Sequence, residues 1–175
     1  MFTFISVNCF SQEEKKEVYN DKKDLIKFEN FEIENNVIVW RKVFEIDSID
    51  VIATFHENLK LKFNKDNSGT VSNLSLNCKG TSIQLGANFN LDFRIDLKDG
   101  KYRVTATNFI FESPMQFSSG MVSTSRMNYN LEYFLLKKNF TLRKNFQVKA
   151  DLECMNKVLT DLFTIKSILP NNDKW

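Results

Sequence analysis

His56 is the only histidine of the chain, and histidine is the side chain whose ordinary pKa best suits proton transfer near neutral pH. It stands in Thr54-Phe55-His56-Glu57-Asn58, with no cysteine, second histidine or aspartate at a metal-ligand spacing. Spacing alone would let a serine of residues 118–125 complete a nucleophilic pair with it. However, no Gly-x-Ser-x-Gly elbow, phosphate-binding glycine loop or His-Glu-x-x-His motif is present to position the parts. His56 therefore reads as a helix-edge histidine, with an envelope hydrolase as the remote alternative. The sequence assigns no catalytic residue, no metal site and no cofactor. Asp96 and Arg103 form a second charged pair, and they read as scaffold, because opposite charges facing across two strands on a wet surface are routine.

These residues must be held by a framework, and the clearest part of it is residues 89–111. Phe89, Leu91, Phe93, Ile95 and Leu97 alternate strictly with Asn88, Asn90, Asp92, Arg94 and Asp96, the period of a strand with one dry and one wet face. Asp99-Gly100 then signals a two-residue hairpin of type I′. That turn sets Lys98 opposite Lys101, Leu97 opposite Tyr102, Asp96 opposite Arg103, Ile95 opposite Val104 and Phe93 opposite Ala106. Carried onward, the same phase puts Phe109 and Phe111 on the charged face. With Met115, Phe117 and Met121 they would form an apolar patch at one end of the sheet unless residues 12–36 or 131–142 cover them.

Around the hairpin, Ile38, Trp40, Phe44 and Ile46 alternate with Arg41 and Glu45, with Lys42 interrupting the apolar side, which predicts a strand. Asp47 or Ser48 is placed to cap a following helix with an apolar face of Ile49, Ile52, Ala53 and Leu59, broadened by Val51 and Phe55. Residues 70–80 and 81–86 read as a strand, a glycine turn and a further short strand. Residues 112–130 lose periodicity and read as a mobile loop, and residues 131–138 and 140–144 are ambiguous between strand and short helix. A final helix is expected from about residue 146 to 169, with Leu152, Met155, Leu159, Leu162, Phe163 and Lys166 marking one side and Pro170 as its stop.

The amino-terminal residues Met1 to Phe10 are uncharged and mostly apolar, and charge begins abruptly at Glu13. Small residues at Cys9 and Ser11 suit cleavage before Gln12, so residues 1–11 read as the rear part of a secretory signal peptide whose basic beginning lies upstream. A lipoprotein signal at Cys9 ranks lower, because Asn8 is a poor fit before such a cysteine. The expected organisation is then an exposed leader at 12–36, one domain at 37–169 and a tail at 170–175. Removal of the first segment leaves Cys78 and Cys154, which either bridge in an oxidising compartment or persist as two buried thiols, as small apolar cysteines commonly do.

A net charge of +2, with acids and bases interleaved along most of the chain, offers no basic stripe for a phosphate backbone, so nucleic acid is not an expected partner. Lys137-Lys138 reads as a solvated turn. No apolar run approaches the ~20 residues of a spanning helix.

An α+β domain is the outcome: an antiparallel sheet with two helices on one face, in the order β-α-β-β-β-β-α. Lys42-Val43-Phe44 before the first helix, then Asp99-Gly100-Lys101-Tyr102-Arg103 and Asn108-Phe109 in the hairpin, resemble a family of secreted bacterial proteins. That family is defined as a domain of unknown function with a TATA-binding-protein-like fold. The resemblance covers residues 37–112 and, loosely, the last helix, and it implies a fold and an export route but no catalytic residues. The expected function is an exported, non-enzymatic domain binding a hydrophobic ligand, a peptide or an envelope protein. A structural subunit of a cell-envelope assembly is the alternative.

Overall fold

A computed structural model describes residues 27–46, 50–65, 67–81, 88–114 and 126–165. An eight-stranded antiparallel sheet runs in the order β1-β2-β3-β7-β6-β5-β4, with β8 paired to β7. The strands are β1 (Lys27–Phe28), β2 (Phe31–Glu34), β3 (Val37–Glu45), β4 (Leu61–Lys65), β5 (Ser68–Leu74), β6 (Phe89–Lys98), β7 (Lys101–Pro114) and β8 (Arg126–Asn130). Helices α1 (Val51–His56), α2 (Leu131–Leu135) and α3 (Phe146–Phe163) meet the same sheet face. The α+β class with helices on one face is as expected, but the described residues already contain eight strands and three helices where five and two were expected.

The central hairpin has the predicted register, with Leu97 opposite Tyr102, Asp96 opposite Arg103, Ile95 opposite Val104 and Phe93 opposite Ala106. Its turn differs. Gly100 takes φ +68° while Asp99 does not enter the positive-φ region, so this is not a type I′ turn. The register survives because both residues still lie between the paired Lys98 and Lys101.

Consecutive positive φ values occur instead at Asn35 (+51°) and Asn36 (+66°), which join β2 to β3. This Asn-Asn turn corrects the expected exposed leader, because residues 27–36 are part of the sheet. Phe31 is fully buried opposite Trp40. Asn156 on α3 fastens this edge: its Oδ1 accepts from Asn30 Nδ2 and Trp40 Nε1, each at 2.8 Å, and its Nδ2 donates to Glu29.

The core is aromatic and continuous across the layers. Trp40 stacks on Phe163, Phe44 on Tyr102, and Phe55 of α1 meets both Tyr102 and Phe163 edge-on. Such pairs contribute about 0.5–1.5 kcal/mol each beyond simple burial. Lys42 lies in this apolar row by phase. Its stem runs to the rim, where Nζ donates to Thr160 Oγ1 at 2.9 Å and sits 5.5 Å from the Phe44 ring, so the charge leaves the core.

Two helix boundaries differ from expectation. Asp50, not Asp47 or Ser48, caps α1, its carboxylate accepting from the Ala53 N–H at 3.0 Å. Since α1 ends at His56, Leu59 falls outside the helical phase and is 96% exposed, while Val51 and Phe55 form the buried face. Helix α3 begins as expected, with Asn145 capping Val148, but ends at Phe163. There the buried Tyr102 hydroxyl donates to the Phe163 carbonyl at 2.6 Å and accepts from Ile165 N–H at 3.3 Å, holding the chain as it leaves the helix.

Candidate functional site

The aromatic patch expected at Phe109 and Phe111 does not exist as a surface, because both side chains are fully buried. The cause is one residue. Asn90 pairs with Ile110 but Asp92 pairs with Thr107, so β7 contains one extra residue in this interval, and Asn108 takes φ +54°. This bulge reverses the alternation and turns Phe109 and Phe111 into the core. Asparagine suits the position because its short polar side chain tolerates the left-handed region, and Nδ2 of Asn108 donates to Asp92 Oδ2 at 3.0 Å. Phe111 then stacks on Phe89 and meets Phe134 of α2 edge-on. Residues 126–130 are strand, and β7 reaches Pro114, where a loop was expected. Met115, Phe117, Met121, the serines of 118–125 and the short strand expected at 81–86 lie outside the described residues, Thr81 excepted.

Asn73 builds a second bulge. Val71 faces Leu91 and Leu74 faces Phe89, leaving an extra residue in β5, with Asn73 at φ +59° and its N–H donating to Asn90 Oδ1. Beyond it, Leu74 and Leu76 are buried, and the chain reaches Cys78, which is disulfide-bonded to Cys154 on α3. Of the two states open to these cysteines, the bridge is the one found. Gln147 Nε2 donates to Gly80 O at 2.7 Å and ties the same segment to α3 a second time.

The chain from α1 to β4, the end of β5 and the end of α3 border a shallow, open cleft of about 590 Å³. Phe55, Leu74, Val158, Leu162 and Ile165 supply its apolar lining, and Asn58, Lys60 and Asp161 its polar groups. A volume of this size with an apolar wall and a few polar groups fits a small ligand or a peptide side chain. Sequence reading missed it because its walls are brought together by the Asn73 bulge and by the end of α3. The amphipathic pattern of α3 was the one legible signal.

The opposite sheet face is charged. A groove of about 360 Å³ there is lined by Arg41, Arg94, Arg103, Asp92, Thr105 and Thr107, among others. The arginines are answered by acids: Arg41 pairs with Glu32 and Glu34, and Arg94 and Arg103 converge on Asp96 at 3.0 and 2.8 Å. The hydrogen bond from Arg103, then those from Arg94, hold the Asp96 carboxyl below its ordinary pKa. Arg41 acts likewise on Glu34. Pairing of this kind makes the groove a satisfied scaffold, as read for Asp96 and Arg103. His56 is exposed, and its ring stacks on Phe63 at 4.1 Å.

No family model and no curated protein matches the chain. Among solved structures it is similar to a TBP-like protein from Parabacteroides distasonis, at 16% identity and a TM-score of 0.41 over 75% of this chain and 93% of that one. It is also similar to a DUF4468 family protein from Bacteroides ovatus, at 13% identity and a TM-score of 0.40 over 83% of this chain and 96% of that one.

Proposed function

We propose that this protein is an exported, non-enzymatic binding domain that takes an apolar ligand or peptide side chain in the cleft between α1 and the end of α3. The cleft carries the reading: apolar walls from Phe55, Val158 and Leu162 recognise hydrocarbon, and Asn58, Lys60 and Asp161 orient a polar end. Export is supported by the Cys78–Cys154 bridge, since such bonds persist in oxidising compartments, and by the apolar stretch before Glu13. Assembly through a free sheet edge is the weaker reading. Edge strand β4 carries Lys62 and Lys65 and a break in register after Phe63, features that oppose strand addition.

Intact mass of protein isolated gently from its native source, recorded under native and then denaturing conditions, tests the binding role. An added mass lost on denaturation is expected, and Val158→Trp, which fills the cleft, should abolish it. Ligand retention by that variant would place binding elsewhere, and a bare wild-type chain would remove the small-ligand reading. Cell fractionation of the full-length gene product tests export, which a cytoplasmic, thiol-reactive protein would refute.

A further inference from the structure

Between Glu132 and Asp151 the chain contains no carboxylate, yet it carries Lys137, Lys138, Arg143, Lys144 and Lys149. All five are exposed. Lys149 approaches Glu153 at 3.9 Å, and the other four form no ion pair with a described residue. No other stretch of the chain carries five cations without an intervening acid.

The same stretch contains two aromatic residues whose placement neither packing nor conformation accounts for. Phe140 sits in a tight turn, where its N–H bonds the Lys137 carbonyl and Lys137 N–H bonds the Thr141 carbonyl. Its φ is +58°, an unfavourable region for a bulky side chain, and it is half exposed. Phe146 opens α3 at 83% exposure. It borders a groove of about 340 Å³ with Phe28, Val148 and Leu152 as apolar wall and Arg143, Lys144 and Lys149 at its rim. Those cations stand at the positive end of an 18-residue helix with no acid in its first turn. The arrangement opposes the helix dipole and costs stability in the free protein.

We propose that residues 137–149 dock the protein on an anionic lipid surface, with Phe140 and Phe146 entering the interface and the cations pairing with headgroup phosphates. The strained phenylalanine, the exposed phenylalanine and the unneutralised cations are each unfavourable alone, and each is relieved by the same partner. Lipid fits better than an acidic polypeptide. Four of the five cations are lysines, which act as point charges toward a diffuse anionic surface rather than as planar forks for a placed carboxylate, and phenylalanine offers no polar atom to read a peptide.

Flotation of the full chain with unilamellar vesicles tests this. Vesicles of phosphatidylcholine containing phosphatidylglycerol should carry the protein at low salt, pure phosphatidylcholine should not, and raised salt should release it. Lys137→Glu with Lys138→Glu should lower partitioning at least about tenfold, two lysines' surface attraction being lost and reversed. Phe140→Asn, which suits the left-handed turn, and Phe146→Ser should each weaken partitioning several-fold, with melting temperatures unchanged or, for Phe140→Asn, raised. Equal binding to neutral vesicles, no binding to anionic ones, or full binding by the phenylalanine variants would overturn the proposal. Binding to polyglutamate with none to anionic vesicles would assign the surface to an acidic polypeptide.

Discussion

A single asparagine keeps Phe109 and Phe111 out of solvent. Asn108 at φ +54° lets β7 gain a residue, and Phe109 and Phe111 enter the core as a result. Asn108→Gly should change stability by less than about 0.5 kcal/mol, whereas Asn108→Val should cost about 1–3 kcal/mol in urea unfolding, because a β-branched residue is strained there. Equal effects would remove backbone strain as the reason for asparagine at this position. Asp96 makes a pH-dependent contribution. Its folded-state pKa lies below the ordinary 3.8 because Arg103 and Arg94 bond its charged form. The stabilisation is therefore full above the ordinary value and is lost as pH falls through the lower, folded one. The pair is partly exposed, so the amount is below about 1 kcal/mol. Asp96→Asn should therefore lower stability by that amount at neutral pH and flatten the acid unfolding curve below about pH 4, where variant and parent converge. An unchanged acid limb would show that the pair contributes nothing.

Helix α3 is fastened at four places: Asn156 to the β1–β2 turn, Thr160 to Lys42, Phe163 to Tyr102, and Cys154 to Cys78. The bridge closes a loop with a sequence separation of 76. Cys78→Ser with Cys154→Ser should lower stability by about 2–4 kcal/mol through the larger freedom of the unfolded chain. A fall in the denaturation midpoint with similar slope checks it, and no fall would mean that the other attachments suffice. At the far edge, a Cβ at Gly69 would stand 2.2 Å from the Lys62 carbonyl oxygen. Gly69→Ala should accordingly loosen β4 from β5, read as faster amide exchange in β4. Strand β4 itself was open to sequence reading, since Leu61 and Phe63 alternate with Lys62 and Asn64 before Asn67-Ser68-Gly69.

For the whole molecule, the strand pairing of Phe31 with Trp40 and the ring contacts from Trp40 through Phe163 and Phe93 to Phe63 join both ends of the sheet to α3. One core spanning all layers predicts one cooperative transition, with coincident unfolding curves from aromatic and backbone circular dichroism. Separate midpoints would mean that the β1–β2 edge or the α2 region unfolds by itself. The two faces then divide by chemistry: helices and the ligand-sized cleft on one, paired arginines and acids on the other.

Much of this was written in local pattern. Strict alternation in residues 89–98 with Asp99-Gly100 was enough for the central hairpin and its register, because strand period and turn length are short-range properties. The apolar stripe of α3 was equally plain, since helical spacing repeats over 18 residues. Asn35-Asn36 carried the β2–β3 turn in its residue types and went unread because charged neighbours masked it. Tertiary structure decided the rest. Both bulges depend on what the neighbouring strand presents, so the sequence phase that put Phe109 and Phe111 on the wet face failed at Asn108. The pairing of Cys78 with Cys154, the end of α3 at Tyr102 and the walls of the cleft likewise join residues far apart along the chain, and only packing brings them together.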